Sequence, residues 1–175
     1  DCALSADGSL ALSASGDNTC ILWSTLDGAP IRTLKGHTKY VIACALSANG
    51  ELALSASWDN TCILWDTSDG TPIRTLRRHD HWVLDCALSA DGSLALSASG
   101  DNTCILWSTL DGAPIRTLKG HTKYVIACAL SANGELALSA SWDNTCILWD
   151  TSDGTPIRTL RRHDHWVLDC ALSAD

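Results

Sequence analysis

The chain contains no Phe and no Met, only two Tyr, and yet eight Trp. Its core must therefore come from Leu, Ala and Trp, and small residues alternating with leucines suit closely stacked sheets. The longest uninterrupted apolar run, Tyr40 to Leu46, is far shorter than the roughly 20 residues of a bilayer-spanning helix. No basic, apolar, small-residue segment opens the sequence, so no secretion signal is expected. No stretch keeps a 3.6-residue apolar period, which excludes a helical solenoid. There is no Cys-x-x-Cys, so zinc-ribbon and thioredoxin-type chemistry lack their signature. The Gly-x-Ser-x-Gly elbow of hydrolases is missing as well.

What is present is repetition. Residues 85–168 reproduce residues 1–84 without a difference, and each half is itself two similar 42-residue units, so the chain is four units plus a seven-residue overhang. A period near forty points to stacked supersecondary units, none of which buries its apolar faces alone. Any site exists at least twice, which argues against a single catalytic centre. Recent amplification and deliberate design both account for the identity of the halves.

Nine cysteines fall two per unit, with the ninth in the overhang. Each sits at an alternating apolar position, where a free thiol acts as a small hydrophobe. First-strand and third-strand cysteines of one unit would be roughly 9.6 Å apart, beyond the ~7 Å a disulfide tolerates. Reduced, buried thiols are expected, and with them the cytoplasm. Net charge is −8, but eight of the twelve Lys and Arg crowd into one loop type: Lys35, Lys39, Arg77, Arg78 and their copies Lys119, Lys123, Arg161 and Arg162. A basic rim on an acidic body is expected, and the overall acidity argues against non-specific nucleic-acid binding.

One unit reads as four strands. Val41 to Leu46 is apolar, and Ser47-Ala48-Asn49-Gly50 breaks it with the strongest short hairpin signal, Asn-Gly, in which both residues tolerate positive φ. Glu51 to Ser57 follows, then the tight turn Trp58-Asp59-Asn60 and the run Thr61 to Trp65. A last turn, Thr67 to Gly70, leads to Thr71 to Leu76, where Pro72 and Arg74 mark a sheet edge. The first three strands carry small or apolar residues on both faces, so each sheet must be covered on both sides. Such a sheet stacked between copies of itself is a propeller blade.

These units resemble the WD-repeat β-propeller family across essentially the whole chain. The resemblance rests on Gly36-His37, on Ser55-Ala56-Ser57-Trp58-Asp59 and on Trp65-Asp66. It implies an all-β propeller of four-stranded antiparallel blades, at approximately residues 1–35, 41–77, 83–119 and 125–161. It also implies a hydrogen-bonded structural tetrad in each blade: His37, Ser55, Asp59 and Trp65; His79, Ser97, Asp101 and Trp107; His121, Ser139, Asp143 and Trp149. The first blade has Ser13, Asp17 and Trp23 but no histidine upstream, whereas the tail carries His163. Ser24 and Ser108 depart from the Trp-Asp pair, and Arg78 and Arg162 from the Gly-His pair. A Ser-His-Asp hydrolase is the tempting misreading, but a set repeated in every unit on a packed strand lacks the exposure that catalysis needs. His79-Asp80-His81 reads as a surface loop because His79 is committed to its tetrad. No cofactor or metal is expected, and no enzymatic activity.

The two unit types differ at 13 of 42 positions, and six of these lie in two turns at one end of the meander. In WD-repeat proteins that end is the usual partner-binding face. Tyr40, Trp58, Arg78, His81, Trp82, Tyr124, Trp142, Arg162, His165 and Trp166 are the candidate contact residues there, with Trp58 and Trp82 expected to be exposed. An acidic or aromatic-rich peptide would suit them. Two function classes stand: an interaction scaffold, or an assembly module with no ligand. Four blades as an open arc expose two apolar faces. WD-type rings usually hold six to eight blades, so two chains closing an eight-bladed ring is the expected assembly, with the 163–175 tail completing the first blade of a second copy and displacing its Asp1–Asp7 segment.

Overall fold

Short polar turns set the strand ends, and each uses its residues differently. The computed structural model describes residues 1–173. At the first hairpin of the second unit, Gly50 takes φ 72° and donates its N–H to Ser47 O at 2.9 Å. Asn49 does not share the positive φ expected of an Asn-Gly pair. Its Oδ1 accepts Ser47 Oγ–H at 2.7 Å and Glu51 N–H at 3.1 Å, which folds a longer loop. The left-handed asparagines are Asn18, Asn60, Asn102 and Asn144, in the tight turn that follows the second strand.

Four antiparallel meanders result. Blade 1 is β1 (Cys2–Leu4), β2 (Leu10–Ala14), β3 (Thr19–Ser24) and β4 (Pro30–Lys35). Blade 2 is β5 (Val41–Leu46), β6 (Leu52–Ser57), β7 (Thr61–Asp66) and β8 (Pro72–Arg77). Blade 3 is β9 (Val83–Leu88), β10 (Leu94–Ser99), β11 (Thr103–Ser108) and β12 (Pro114–Lys119). Blade 4 is β13 (Val125–Leu130), β14 (Leu136–Ser141), β15 (Thr145–Asp150) and β16 (Pro156–Arg161). Among the described residues no helix is long and apolar enough to cross a membrane.

Period-2 alternation gives every blade two unlike faces. The forward face of blade 2 presents Leu54, Ala56, Cys62, Leu64 and Leu76, and the rear face of blade 3 meets it with Val83, Cys86, Ala95, Ile105 and Trp107. The same pairing of a leucine–cysteine face with a tryptophan–isoleucine face forms the other two junctions. Backbone and side-chain stitches reinforce it. Asp1 and Asp85 accept the Cys44 and Cys128 N–H of the next blade at 3.0 and 2.7 Å. On the outer strands, Arg32, Arg74 and Arg116 donate to Ser68, Leu110 and Ser152 carbonyls of the next blade at 3.0, 3.1 and 2.7 Å.

Residues 163–173 continue this pattern without joining a sheet. Val167 N–H donates to Ser141 O at 3.1 Å, as Val41 N–H does to Ser15 O, and Cys170 Sγ lies 3.6 Å from Leu138 O, as Cys44 Sγ does from Leu12 O. Val167 and Cys170 thus take the place of a next inner strand against blade 4. The rest of the blade 4 forward face is open. Leu160 is 48% exposed, against 1–2% for Leu34, Leu76 and Leu118.

Candidate functional site

Each complete blade brings its tetrad together. Trp65 Nε1–H donates to Ser55 Oγ at 2.8 Å, Ser55 Oγ lies 2.7 Å from His37 Nε2, and His37 Nδ1 lies 2.8 Å from Asp59 Oδ2. A carboxylate only accepts, so the imidazole proton sits on Nδ1 and Nε2 receives the serine hydroxyl. The chain of donors then runs from indole to hydroxyl to imidazole, with the second imidazole nitrogen donating to the carboxylate. Blades 3 and 4 repeat it, with His79 at 2.7 Å from both Ser97 and Asp101, and His121 at 2.7 Å from Ser139 and 2.8 Å from Asp143. Trp107 and Trp149 each donate to their serine at 2.9 Å.

Asp59 anchors the turn as well, accepting Thr38 N–H at 3.0 Å and Thr61 Oγ1–H at 2.6 Å. Burial by itself would raise its carboxyl, but bonds from His37, Thr61 and Thr38 hold it well below the usual carboxylate range. Asp101 is lowered to about 2 against the same opposing burial. Ser55, Ser97 and Ser139 have no more than 1% of their surface exposed. The arrangement ties a loop to a strand in a low-dielectric interior, where a satisfied network is rigid.

Blade 1 holds only part of the set. Trp23 Nε1–H donates to Ser13 Oγ at 2.8 Å, and Asp17 accepts Thr19 Oγ1–H at 2.7 Å. His163 is exposed, and no hydrogen bond among the described residues joins it to Ser13, Asp17 or Trp23.

A family model described as WD domain, G-beta repeat matches residues 1–24, 28–66, 70–108 and 112–150. The chain belongs to the WD-repeat family. Each later match starts just before the outermost strand of one blade and ends on the third strand of the next, so a single WD repeat spans two blades and couples them covalently. A comparison with curated proteins returns no match.

The candidate contact residues of this WD-repeat chain are brought together at one end, but Trp58 and Trp142 are half-buried, not exposed. Trp58 is sandwiched between Tyr40 (5.3 Å between ring centroids) and Trp82 of the next blade (4.7 Å, stacked at 16°). Trp142 repeats this with Tyr124 at 5.2 Å and Trp166 at 4.5 Å. His81 bridges the two groups, 4.9 Å from Trp82 and 5.1 Å from Tyr124, and His165 lies 4.9 Å from Trp166. The rings therefore form one continuous arc over all the blade junctions from blade 2 to the tail.

Alternation of the two unit types makes this arc fit. His81 lies over Gly100, where an added Cβ would overlap its Nδ1. In blade 2 the corresponding turn residue is Trp58 and the loop residue is Lys39, so the indole fills the notch that the imidazole fills in blade 3. Tyr40, Trp82 and Trp166 keep 52, 37 and 45% of their surface exposed. Tyr40, Trp58, Lys39, Thr38 and Asn18 line a shallow cavity of about 350 Å³, and Arg78 and Lys119 line another of similar volume with Asp80, Asp101 and Thr117. Arg162 is exposed at the corresponding place in the tail.

Sequence reasoning missed the Asp1 and Asp85 bridges and the arginine clasps. Their partners lie 43 and 36 residues on, and only the stacking of one blade on the next relates them.

Proposed function

We propose that this WD-repeat chain is a non-enzymatic interaction scaffold whose basic, aromatic end receives an acidic or aromatic-rich peptide segment. The observation that carries this reading is the division of labour within the repeat. The Ser, His and Asp groups that could do chemistry are satisfied by one another beneath the surface, while Tyr40, Trp82 and Trp166 keep an outward part of their rings exposed and Arg78 and Lys39 are exposed beside them. A serine with no exposed surface, such as Ser55, offers no route to a substrate carbonyl. Among the described residues no group of three or more His, Cys, Asp and Glu side chains is placed to hold a metal ion.

Binding of immobilised peptide sets that vary acidic and aromatic content tests the scaffold. Selective capture that Trp82→Ala and Arg78→Glu each reduce supports it, and uniform lack of binding removes it. The engagement of Trp58 and Trp142 with neighbouring rings favours the second reading, a module that serves assembly alone. That reading predicts no peptide capture by a fully assembled sample.

The scaffold closes by pairing with a second copy into an eight-bladed ring. The forward face of blade 4 leaves Leu160 and Ile157 48 and 45% exposed, and the rear face of blade 1 leaves Trp23 and Ile21 half-buried. These are the two halves of the junction that blades 2 and 3 make inside the chain, where Leu76, Ile105 and Trp107 are buried to within 2%. The chain-to-chain junction repeats that internal one in residue type at every position. Arg158 would clasp the Leu26 carbonyl of the second copy, as Arg74 clasps Leu110. His163 of the tail would join Ser13, Asp17 and Trp23 of that copy. Light scattering is expected to give about twice the 18.6 kDa chain mass.

A further inference from the structure

The blades have a second end, opposite the aromatic arc and unlike it in charge and in apolar exposure. Its turns join the first strand to the second and the third to the fourth, and they carry ten Asp and Glu but no Lys or Arg. Bonds between blades make this end one continuous surface. Ala6 N–H donates to Ala48 O, Ala48 N–H to Ala90 O and Ala90 N–H to Ala132 O, at 3.1, 3.3 and 3.2 Å.

Among these turns stand the two most exposed large apolar side chains of the described residues, Leu26 at 95% and Leu110 at 85%. The turn does not need them. Blades 2 and 4 carry Ser68 and Ser152 at that position, and the backbone closes in the same way in both unit types. Gly28 N–H donates to Ser24 O, Gly112 N–H to Ser108 O and Gly70 N–H to Asp66 O, each at 2.9 Å. A single exposed leucine is ordinary. Here two recur at one position in alternate blades, each followed by an acid, Asp27 or Asp111. In the blade between them, Glu51, Asp66 and Leu52 line a cavity of about 300 Å³ that suits a cationic side chain.

The aromatic end offers the complement. Lys39, Arg78 and Lys119 are exposed there, and among the described residues no Lys or Arg forms an ion pair with a carboxylate. Asp59 and Asp101 are already held by His37 and His79. Tyr40 and Trp82 keep apolar ring surface open beside the cations. Tyr40 and Trp58 recur two blades on as Tyr124 and Trp142, just as Leu26 recurs as Leu110. The rotation that relates alternate blades therefore carries one leucine–ring contact into the next.

We infer that the leucine-tipped acidic end is a second docking surface, and that its occupant is the basic, aromatic end of another copy of this chain. Copies then stack end on end. The inference rests on the reading of the basic end as a docking face and names what fills it. Leucine meets the exposed rings while the acids beside it face unpaired cations, a match in both polarity and charge. At about 0.15 M salt a charge acts over only about 8 Å, so the facing ends decide the contact, not the net charge of −8. The contact joins unlike surfaces and leaves one of each free, so it propagates. Ring closure uses the blade faces instead and stops at two chains.

Sedimentation velocity over a concentration series tests this with two double variants. Leu26→Ser with Leu110→Ser alters the acidic end alone and places there the residue that blades 2 and 4 already carry. Lys39→Glu with Arg78→Glu alters the basic end at exposed positions. Circular dichroism checks that both remain folded. The unaltered chain is expected to gain mass with concentration without a plateau, and each variant to lower the association constant of the growing step at least tenfold. Mixed in equal amounts, the variants supply one intact end each, so association returns.

A plateau at one or two chains for the unaltered protein overturns the stack. Growth that either variant leaves unchanged does the same, as does a mixture that associates no better than its parts. Capture of acidic peptides by an unaltered chain that does not grow removes the stack and leaves the docking face standing. Neither capture nor growth removes both.

Discussion

Blades 1 and 3 share their residues from the second strand onward, and blades 2 and 4 share all of theirs, yet their surroundings differ. Trp107 is 1% exposed between blades 2 and 3, whereas Trp23, the same residue in blade 1, is only half-buried. Leu76 is 2% exposed and its copy Leu160 is 48% exposed. Ser97 Oγ accepts an indole N–H and donates to an imidazole, whereas Ser13 Oγ accepts an indole N–H and meets no imidazole among the described residues. Since sequence is held constant, the difference belongs wholly to neighbouring blades. A WD blade has its strand pairing from its own residues, while its core and its polar network come from the adjacent unit and the preceding loop.

The largest expected effect breaks that comparison directly. Trp107→Ala leaves a cavity between two blades and removes the donor that Ser97 holds, costing about 3–5 kcal/mol. Trp23→Ala in the dilute single chain should cost less than about half of that, because solvent already reaches the indole. Denaturant midpoints followed by circular dichroism measure both. Equal losses would mean that blade 1 is covered under the conditions used, as ring closure requires at high concentration.

Next in size is a pair of glycines. Gly100 has His81 directly over it, held by Trp82 and Tyr124, whereas the nearest atoms to a Cβ at Gly16 are those of Tyr40 at 3.9 Å. Gly100→Ala is therefore expected to cost about 1–3 kcal/mol by overpacking, and Gly16→Ala to be neutral within about 0.5 kcal/mol. Adding His81→Lys, the residue that blade 2 carries beside its larger turn residue, should recover most of the loss at Gly100. A double-mutant cycle on thermal stability reads the coupling. Additive effects would mean that the notch does not link the two positions.

The glycine pair also marks the limit of what could be read from the sequence. Period and strand number are local to one repeat, and the tetrad residues His37, Ser55, Asp59 and Trp65 were legible through the resemblance carried by Gly36-His37, Ser55-Ala56-Ser57-Trp58-Asp59 and Trp65-Asp66. The ring arc could not be ordered, because alternation along β7 says that Cys62 and Ile63 face opposite ways but not which neighbour each meets. Trp58 was expected in solvent for that reason, and the stacking partner that half-buries it comes from the next blade. The Asn49-Gly50 signal located a hairpin correctly and misjudged its backbone, since an asparagine side chain that bonds its own loop has no need of positive φ.

A third comparison sets Asp85, inside a junction, against Asp101, in a tetrad. Burial pushes the Asp85 carboxyl up to about 6, and the charge of Asp169 adds to it, although bonds from Cys128 and Cys86 N–H oppose the rise. A raised carboxyl favours the protonated folded form, so its contribution is greatest below the unfolded value near 4 and is lost as pH rises toward 6. Asp101, lowered to about 2, contributes fully above pH 4 and loses that contribution as pH falls through 2. Asp85→Asn is thus expected to gain on the order of 1–2 kcal/mol at pH 7.5 and nothing at pH 4. Asp169→Asn, whose residue is exposed and accepts the N–H of its neighbour Cys170, should change stability little in the single chain. A gain for Asp85→Asn that persists at pH 4 would point to packing in place of titration.

The smallest effect, and the most direct on the ends of the arc, is thiol reactivity. All nine cysteines are free: Cys2 is exposed, Cys146 and Cys170 are half-buried, and six are buried. Burial pushes the Cys20 and Cys44 thiols up to about 12 and lifts Cys62 well above its ordinary value, so their thiolate fraction at pH 8 is negligible. Cys62 and Cys146 are the same residue in identical blades, but Cys146 lies at the open end. Alkylation followed by peptide mass mapping should label Cys2 first, Cys146 more slowly and Cys62 only on unfolding. If the proposed ring closes, raising the concentration should move Cys146 into the slow class, since the junction that protects Cys62 would then cover it. The buried pairs meet across blades and not within them, as Cys62 and Cys86 do in one core cluster, so a disulfide within one chain would join neighbouring blades. Its appearance in a freshly purified native sample would contradict the assignment of these thiols as inert core residues.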